Sequence, residues 1–148
     1  MSVQENSRIN EEYFAAVNAH DIDRYLDLLS DDFVTRNMRS PEPARGKDAA
    51  RQDLEGLFAA FPDYHVELKN AVVSDDQIAS ELEFSGTHDG PLTLGPGAPP
   101  LPATGKPVRT QGIFVATVKD GKVVETHVYP DLMGMMMQLS LISPPGSE

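Results

Sequence analysis

Apolar side chains in the first sixty residues recur at intervals of three and four, the spacing of amphipathic helices. Ser2 and Glu5 form the Ser-x-x-Glu pattern of a capping box at the start of a helix predicted from about Val3 to Ala19. A later helix is predicted from about Asp48 to Phe61. Pro62 ends it, because the residue before a proline avoids the helical region.

A shorter helix and a strand are predicted between these two helices. Asp21 can cap the short helix, and the polar run Ser30 to Asp32 is predicted to end it. Phe33 to Asn37 then has the composition of a short strand. The proline-containing segment from Ser40 to Gly46 is predicted to be a loop.

From residue 64 onward the apolar residues alternate with polar ones, which is typical of strands with one buried face. Four strands are predicted, at Tyr64 to Val73, Gln77 to His88, Pro107 to Val118 and Val123 to Tyr129. The segment from Asp89 to Lys106 is rich in Gly and Pro and too long for a hairpin turn, so it is predicted to be a lid or binding loop. The order predicts one α+β domain over residues 1–148, with a curved, mostly antiparallel sheet wrapped around helices into a cone with one open pocket.

The end of the last strand carries the most distinctive chemistry. Pro130 stops the strand because it has no N–H to donate, and Asp131 follows at the start of a methionine-rich helix. A carboxylate walled by apolar side chains suits general acid/base catalysis, and it equally suits an ordinary helix N-cap. Strict alternation predicts that one face of the strand is shared by Val123, Glu125, His127 and Tyr129.

Composition excludes several classes of function. The net charge of −11 argues against binding to a nucleic-acid backbone, and no apolar run reaches the length that spans a bilayer. The absence of cysteine excludes disulfides and thiolate metal sites, and the histidines do not fall at metal-binding spacings. The amino terminus lacks the basic and apolar regions of a signal peptide, so a cytoplasmic protein is expected.

Several segments along most of the chain carry a family resemblance. They are AFPDYHVEL after the third helix, Gly86 to Gly90, Ala103 to Val108, Asp120 to Glu125, and Asp131 with the helix that closes in Gln138-Leu139. In this order they resemble the SnoaL-like polyketide cyclases, which share the cone fold of nuclear transport factor 2 and ketosteroid isomerase. One departure is visible, because His127 stands where relatives often carry Trp.

The resemblance implies an intramolecular aldol condensation of an aromatic polyketide ester, without metal or organic cofactor. It also implies that Asp131 is the general acid/base. The residues themselves suggest helpers for this carboxylate, since His127 and Tyr129 share a strand face and His88 shares the face of Ile78 and other apolar residues. Further candidates for substrate binding are Gln111 as a donor to an enolate oxygen, Asn37 as an orienting amide, and Met135 as an adaptable pocket wall. Each of these side chains also has a purely structural interpretation.

Three functions remain open from the sequence. The first is a cofactor-independent cyclase acting on a small, apolar, carbonyl-containing substrate, with Asp131, His127 and His88 as the catalytic set. The second is a non-catalytic ligand-binding protein with the same pocket. The third is an isomerase or epoxide hydrolase, although epoxide hydrolysis would need a second carboxylate and an arginine for which the sequence offers no clear candidate. A homodimer through the outer sheet face is expected.

Overall fold

Helices cover one face of a curved, unclosed, six-stranded sheet in the computed structural model, which describes residues 2–38, 41–93, 98–143 and 146. In chain order the elements are α1 (Val3–Asn18), α2 (Ile22–Asp27), β1 (Leu29–Asn37), β2 (Ala44–Arg45), α3 (Gly46–Ala60), β3 (His65–Val73), β4 (Gln77–Thr87), β5 (Pro107–Lys119), β6 (Lys122–Pro130) and α4 (Leu132–Gln138). The predicted α+β architecture is confirmed. None of the described helices is long and apolar enough to cross a bilayer.

The sheet has the strand order β2-β1-β6-β5-β4-β3. The four long strands β3 to β6 are antiparallel neighbours in sequence order, as predicted, whereas β1 runs parallel to β6. The start of β1 differs from the prediction, because Ser30 to Asp32 lie inside the strand and do not end a helix. The short β2 lies in the segment predicted to be a loop, where Val34 of β1 pairs with Arg45.

The helix starts follow the capping signals in the sequence. The Ser2 hydroxyl accepts a hydrogen bond from the Glu5 backbone N–H at 3.1 Å. The Asp21 carboxylate accepts one from the Arg24 backbone N–H at 3.1 Å. Each bond satisfies a backbone donor that the first turn of a helix leaves without a partner.

Two apolar clusters hold the helices on the sheet. The larger one packs α1 and α2 against β1, β4 and β5, and its fully buried members include Leu29, Phe33 and Ile78. Burial of a side chain of this size contributes about 1.5–3 kcal/mol. The smaller cluster joins the end of α3 to the loop after β4 and to α4 through Ala60, Phe61, Leu92, Val108 and Leu139.

A β-bulge near the start of β6 changes which side chains share a face. Thr117 of β5 pairs with Glu125, but the next residue, Val118, pairs with Val123, so Val124 is an extra residue on β6. Val123 and Thr126 are therefore both buried, at 2% and 1% exposure. The prediction that Val123 shares a face with Glu125, His127 and Tyr129 is wrong, because the bulge interrupts the alternation.

Candidate functional site

A largely apolar cavity of about 190 Å³ lies between the helices and the sheet. One water needs about 10–15 Å³ of such space, so the cavity has room for a small organic molecule. All five long strands and each of the four helices contribute residues to its wall, β3 through Val66 alone among the described residues. The polar members among the described lining residues are Tyr13, Tyr25, Thr35, Asn37, Asp53, Tyr64, Ser85, Thr110, Thr126 and Asp131.

Asp131 both caps α4 and lines the cavity. Its Oδ1 accepts a hydrogen bond from the Gly134 backbone N–H at 2.8 Å, while Oδ2 has no hydrogen-bond partner among the described residues. A Cβ at position 134 would lie 2.3 Å from Oδ2, so only glycine fits beside the carboxylate as it is placed. The structure thus unites the two interpretations that the sequence left open, a helix cap and a cavity carboxylate.

Two tyrosines from different helices form a hydroxyl pair in the cavity wall. The Tyr13 and Tyr25 hydroxyl oxygens lie 3.4 Å apart, and their rings meet edge to face with centroids 5.1 Å apart. Burial, reinforced by the neighbouring phenol, raises the pKa of Tyr13 well above its usual value. Burial likewise raises the pKa of Tyr25 to about 12, so both phenols stay neutral near pH 7.

A second hydroxyl pair lies on the sheet side of the cavity. Thr35 of β1 and Thr126 of β6 are register partners in the parallel ladder, and the Thr126 hydroxyl donates to the Thr35 hydroxyl at 2.8 Å. Asn37 is two residues beyond Thr35 on β1 and faces the same cavity, since alternate residues of a strand share a face.

Asp53 brings a second carboxylate to the cavity from α3. Asp53 was not among the site residues predicted from the sequence, although a signal is present. Ala50, Asp53, Leu54 and Leu57 follow the i, i+3, i+4, i+7 pattern, so Asp53 occupies an apolar-stripe position of the helix. A charged residue on the core-facing stripe of a helix indicates either a paired buried charge or a cavity.

Comparison with known proteins places this architecture in a family. Residues 7–139 match the family model described as SnoaL-like polyketide cyclase. The chain belongs to the SnoaL-like polyketide cyclases. No curated protein sequence matches it.

Solved structures of similar shape agree with this membership at the level of the fold. AclR from Streptomyces galilaeus has a TM-score of 0.82 and 24% identity, over 97% of this chain and 85% of its own. A protein of Jannaschia sp. CCS1, assigned as a SnoaL-like polyketide cyclase, has a TM-score of 0.82 and 24% identity over 96% and 94%. IdmH from Streptomyces antibioticus has a TM-score of 0.76 and 22% identity over 90% and 97%.

Some of the site residues predicted for this SnoaL-like chain meet at the cavity. Asp131, Asn37 and Met135 all line it. His127 and Tyr129 lie on the opposite sheet face, where His127 Nε2 is 3.1 Å from Glu125 Oε2 and Tyr129 is 44% exposed. Gln111 is also exposed on that outer face, because Thr110 is the β5 residue that lines the cavity.

His88 does not line the cavity, but it lies beside Phe61, which does. It is fully buried, its ring is 5.6 Å from that of Phe61, and its Nδ1 lies 3.0 Å from the Thr104 hydroxyl. The Thr104 backbone N–H also points to Nδ1 at 3.3 Å. His88 therefore ties together the two ends of the loop that was predicted to be a lid.

That loop forms part of the cavity wall. Leu92 lines the cavity and pairs with Leu101 in an isolated bridge, whereas residues 94–97 lie outside the described part of the chain. Gly90 donates its N–H to the Ala60 carbonyl at 3.1 Å. A Cβ at position 90 would lie 1.9 Å from the Ala59 carbonyl oxygen. The loop therefore approaches α3 more closely than a residue with a side chain at this position would permit.

Proposed function

We propose that this chain is a cofactor-independent cyclase that closes a ring by intramolecular aldol condensation, with Asp131 as the general acid/base. The observation that carries the proposal is that the Asp131 carboxylate lines an apolar cavity, with one oxygen held by the Gly134 N–H and the other without a hydrogen-bond partner in the described part of the chain. A base that abstracts a proton from carbon needs this combination of fixed orientation and a free oxygen.

In the proposed reaction a single carboxylate both accepts the proton and returns it. Asp131 takes a proton from the carbon beside a substrate carbonyl, and the resulting enolate attacks a second carbonyl carbon in the same molecule. A carbon–carbon bond forms, and the electron pair of the second carbonyl moves to its oxygen. Asp131, now protonated, returns its proton to that oxygen, which restores the carboxylate and leaves a hydroxyl on the new ring.

The character of the walls supports a largely apolar carbonyl compound as the substrate. Aromatic and aliphatic side chains dominate the lining, and Met135 can adapt to an irregular ligand shape. The hydroxyls of the two pairs supply a few fixed polar contacts, which is the usual composition of a small-molecule site. Membership of the SnoaL-like polyketide cyclases favours a polyketide among such compounds.

The experiment compares Asp131→Asn with Asp21→Asn. Asparagine is a good N-cap, so both variants keep the helix start, and Asp21 caps α2 without lining the cavity. Ring closure of an aromatic ester that carries a β-keto side chain is followed by chromatography. Asp131→Asn is expected to slow turnover by roughly 10²- to 10⁴-fold, while Asp21→Asn turns over like the parent.

Two outcomes would contradict the proposal. Unchanged turnover in Asp131→Asn would remove the acid/base role from this residue. A parent that binds the ester with no turnover, and an Asp131→Asn variant that binds it equally well, would indicate a ligand-binding protein.

A second candidate is epoxide hydrolysis, and Asp53 is the observation that favours it, since it supplies the second carboxylate; none of the described lining residues is the arginine that this reaction would also need. Asp53 and Asp131 give the cavity two carboxylates, one to activate water and one to protonate the opening epoxide oxygen. An epoxide such as styrene oxide, incubated in ¹⁸O-labelled water, distinguishes the candidates. Epoxide hydrolysis is supported if the parent forms labelled diol and both Asp53→Asn and Asp131→Asn lose this activity. It is rejected if the parent forms no labelled diol.

A further inference from the structure

We propose that the paired hydroxyls of Tyr13 and Tyr25 bind an oxygen atom of the ligand and so determine which end of it enters the cavity first. This inference deepens the proposed function and rests on it for the statement that the ligand is a substrate. The two tyrosines are specificity-determining residues here, and Asp131 remains the group that moves protons.

The hydrogen-bonding capacity of the pair is only partly used by the protein. Among the described residues, the hydroxyls of Tyr13 and Tyr25 have only each other as hydrogen-bond partners. Two phenols carry two donors and several acceptor sites, and a single mutual bond uses one donor, so one O–H is left over. Both side chains are more than nine-tenths buried, at 8% and 7% exposure, and both line the cavity.

A purely structural role does not require these hydroxyls. Phe14 and Phe114 fill neighbouring positions of the same cluster without any polar atom. A phenol in such a place must leave water to bury its O–H, and natural cores avoid buried polar groups without partners. A ligand oxygen placed beside the pair would satisfy the remaining donor.

The pair is held in place by packing from several elements. The Tyr13 ring centroid lies 5.2 Å from that of Phe14 and 5.0 Å from that of Phe114 on β5. Tyr25 reaches the same point from α2 and is fixed by its edge-to-face contact with Tyr13. The hydroxyls are thus oriented before a ligand arrives, which reduces the ordering cost of binding.

The protonation state of the pair indicates the chemistry of its partner. Because burial raises the pKa of both phenols, they act as neutral donors over the whole working range of pH. A neutral donor suits a ketone, ester or quinone oxygen.

The pair and the carboxylate lie at separate positions along the sheet. Tyr13 packs on Phe114, whose partner on β6 is Val128, and Asp131 follows Val128 by three residues. At a rise of about 3.3 Å per residue, the Asp131 backbone lies about 10 Å along the sheet from that position. The ligand class that fits both groups is an elongated carbonyl compound with an oxygen at the end distant from its reacting carbon.

The experiment measures binding of two probes that differ by one oxygen, 1-tetralone and tetralin, by calorimetry. The parent is expected to bind 1-tetralone more tightly than tetralin. Tyr25→Phe and Tyr13→Phe should each weaken 1-tetralone binding by roughly twofold to tenfold, the loss of one net hydrogen bond, with tetralin unchanged. The double variant should bind both probes alike. Thr117→Val, which removes a hydroxyl outside the cavity lining, is the matched control and should bind as the parent does.

The proposal is overturned if the parent binds the two probes with equal affinity or binds neither of them. It is also overturned if the double variant still prefers 1-tetralone over tetralin. If the double variant does not fold, the two single variants decide the question. Asp131→Asn separates this proposal from the proposed function, because it should keep the preference for 1-tetralone. If the protein shows no ring-closing turnover but still prefers 1-tetralone in a way that depends on the tyrosines, the oxygen-binding site is supported and the aldol reaction is rejected.

Discussion

Asp131 and Gly134 form a hydrogen bond of 2.8 Å, from the backbone N–H to the carboxylate, that begins α4 at the wall of the cavity. The bond fixes one carboxylate oxygen by the same geometry that caps a helix. Capping and catalysis are therefore compatible uses of one side chain, and the cap keeps the carboxylate oriented in the absence of ligand.

Replacement of Gly134 by alanine tests whether this placement matters. The added Cβ would lie 2.3 Å from Asp131 Oδ2, so the carboxylate must move or the first turn of α4 must open. Turnover on the ring-closing ester is expected to fall at least tenfold. Gly56→Ala is the control, because its Cβ would meet nothing within 4 Å on α3, and it should stabilise the protein by about 0.5–1 kcal/mol. Full activity in Gly134→Ala would show that the observed carboxylate position is not required.

The buried bond between Asn10 and Ser80 is expected to be a major link between α1 and the sheet. Asn10 Nδ2 donates to Ser80 Oγ at 2.9 Å, and exposures are 3% and 0%. Asn10→Ala leaves the serine without its donor and should lower the free energy of unfolding in urea by about 1–3 kcal/mol. Glu11→Ala, at an exposed neighbouring position, should change it by less than about 0.5 kcal/mol. Strict additivity of Asn10→Ala and Ser80→Ala would contradict an interaction between them.

Asp63 is expected to make stability depend on pH in the acid range. The Thr87 backbone N–H, at 2.7 Å, and then the Thr87 hydroxyl, at 2.8 Å, lower the pKa of the Asp63 carboxyl because they favour its charged form. The unfolded chain then binds the proton more readily. The stabilisation is present above the unfolded pKa of about 3.9 and is lost as pH falls through the lower folded pKa.

Urea unfolding of Asp63→Asn and the parent at pH 7 and pH 3 measures this effect. The difference in stability between the two proteins should be larger at pH 7 and shrink toward pH 3. Thr87→Val, which removes the hydroxyl and keeps the N–H, should lose only part of the effect. A difference that does not vary with pH would exclude the proposed linkage.

Ile113 and Tyr129 support the prediction of a homodimer through the outer sheet face. They are cross-strand partners on β5 and β6, and they are 41% and 44% exposed on the face turned away from the cavity. If two copies pair through this face, Ile113→Lys should yield a monomer in light scattering, because it places like charges opposite each other. Val3→Lys alters an exposed apolar residue on α1 and should leave the mass unchanged. A monomeric parent would contradict the prediction.

The sequence predicted those features of the fold that depend on local signals. Caps at Ser2 and Asp21, and the stop at Pro62, are short-range interactions between neighbouring residues, so the helices lie close to their predicted bounds. The extension of β1 to Leu29 depends on pairing with Val123, which is far away in the chain. Local periodicity carries no information about such a partner.

For the same reason, the sequence predicted only some of the residues that line the cavity. Asp131 is marked by a strand end followed by a helix, which is visible locally. The outward direction of His127 depends on the bulge, and a bulge is defined by pairing with another strand. Asp53 was missed because a single carboxylate on an apolar stripe attracts notice only once the space beside it is known to be a cavity.

The extra residue in β6 also bears on how the gene can vary. Deletion of Val124 would make the strand regular and still leave Val123 and Thr126 on its buried face, so the hairpin can lose this residue without exchanging its two faces. A one-residue deletion just after Glu125 would turn the following side chains to the other face only if the bulge were kept, because loss of the bulge restores the pairing of His127 with Val115. The bulge therefore gives the hairpin one residue of spare length, which a deletion in this part of β6 can remove while the side chains beyond it keep their faces.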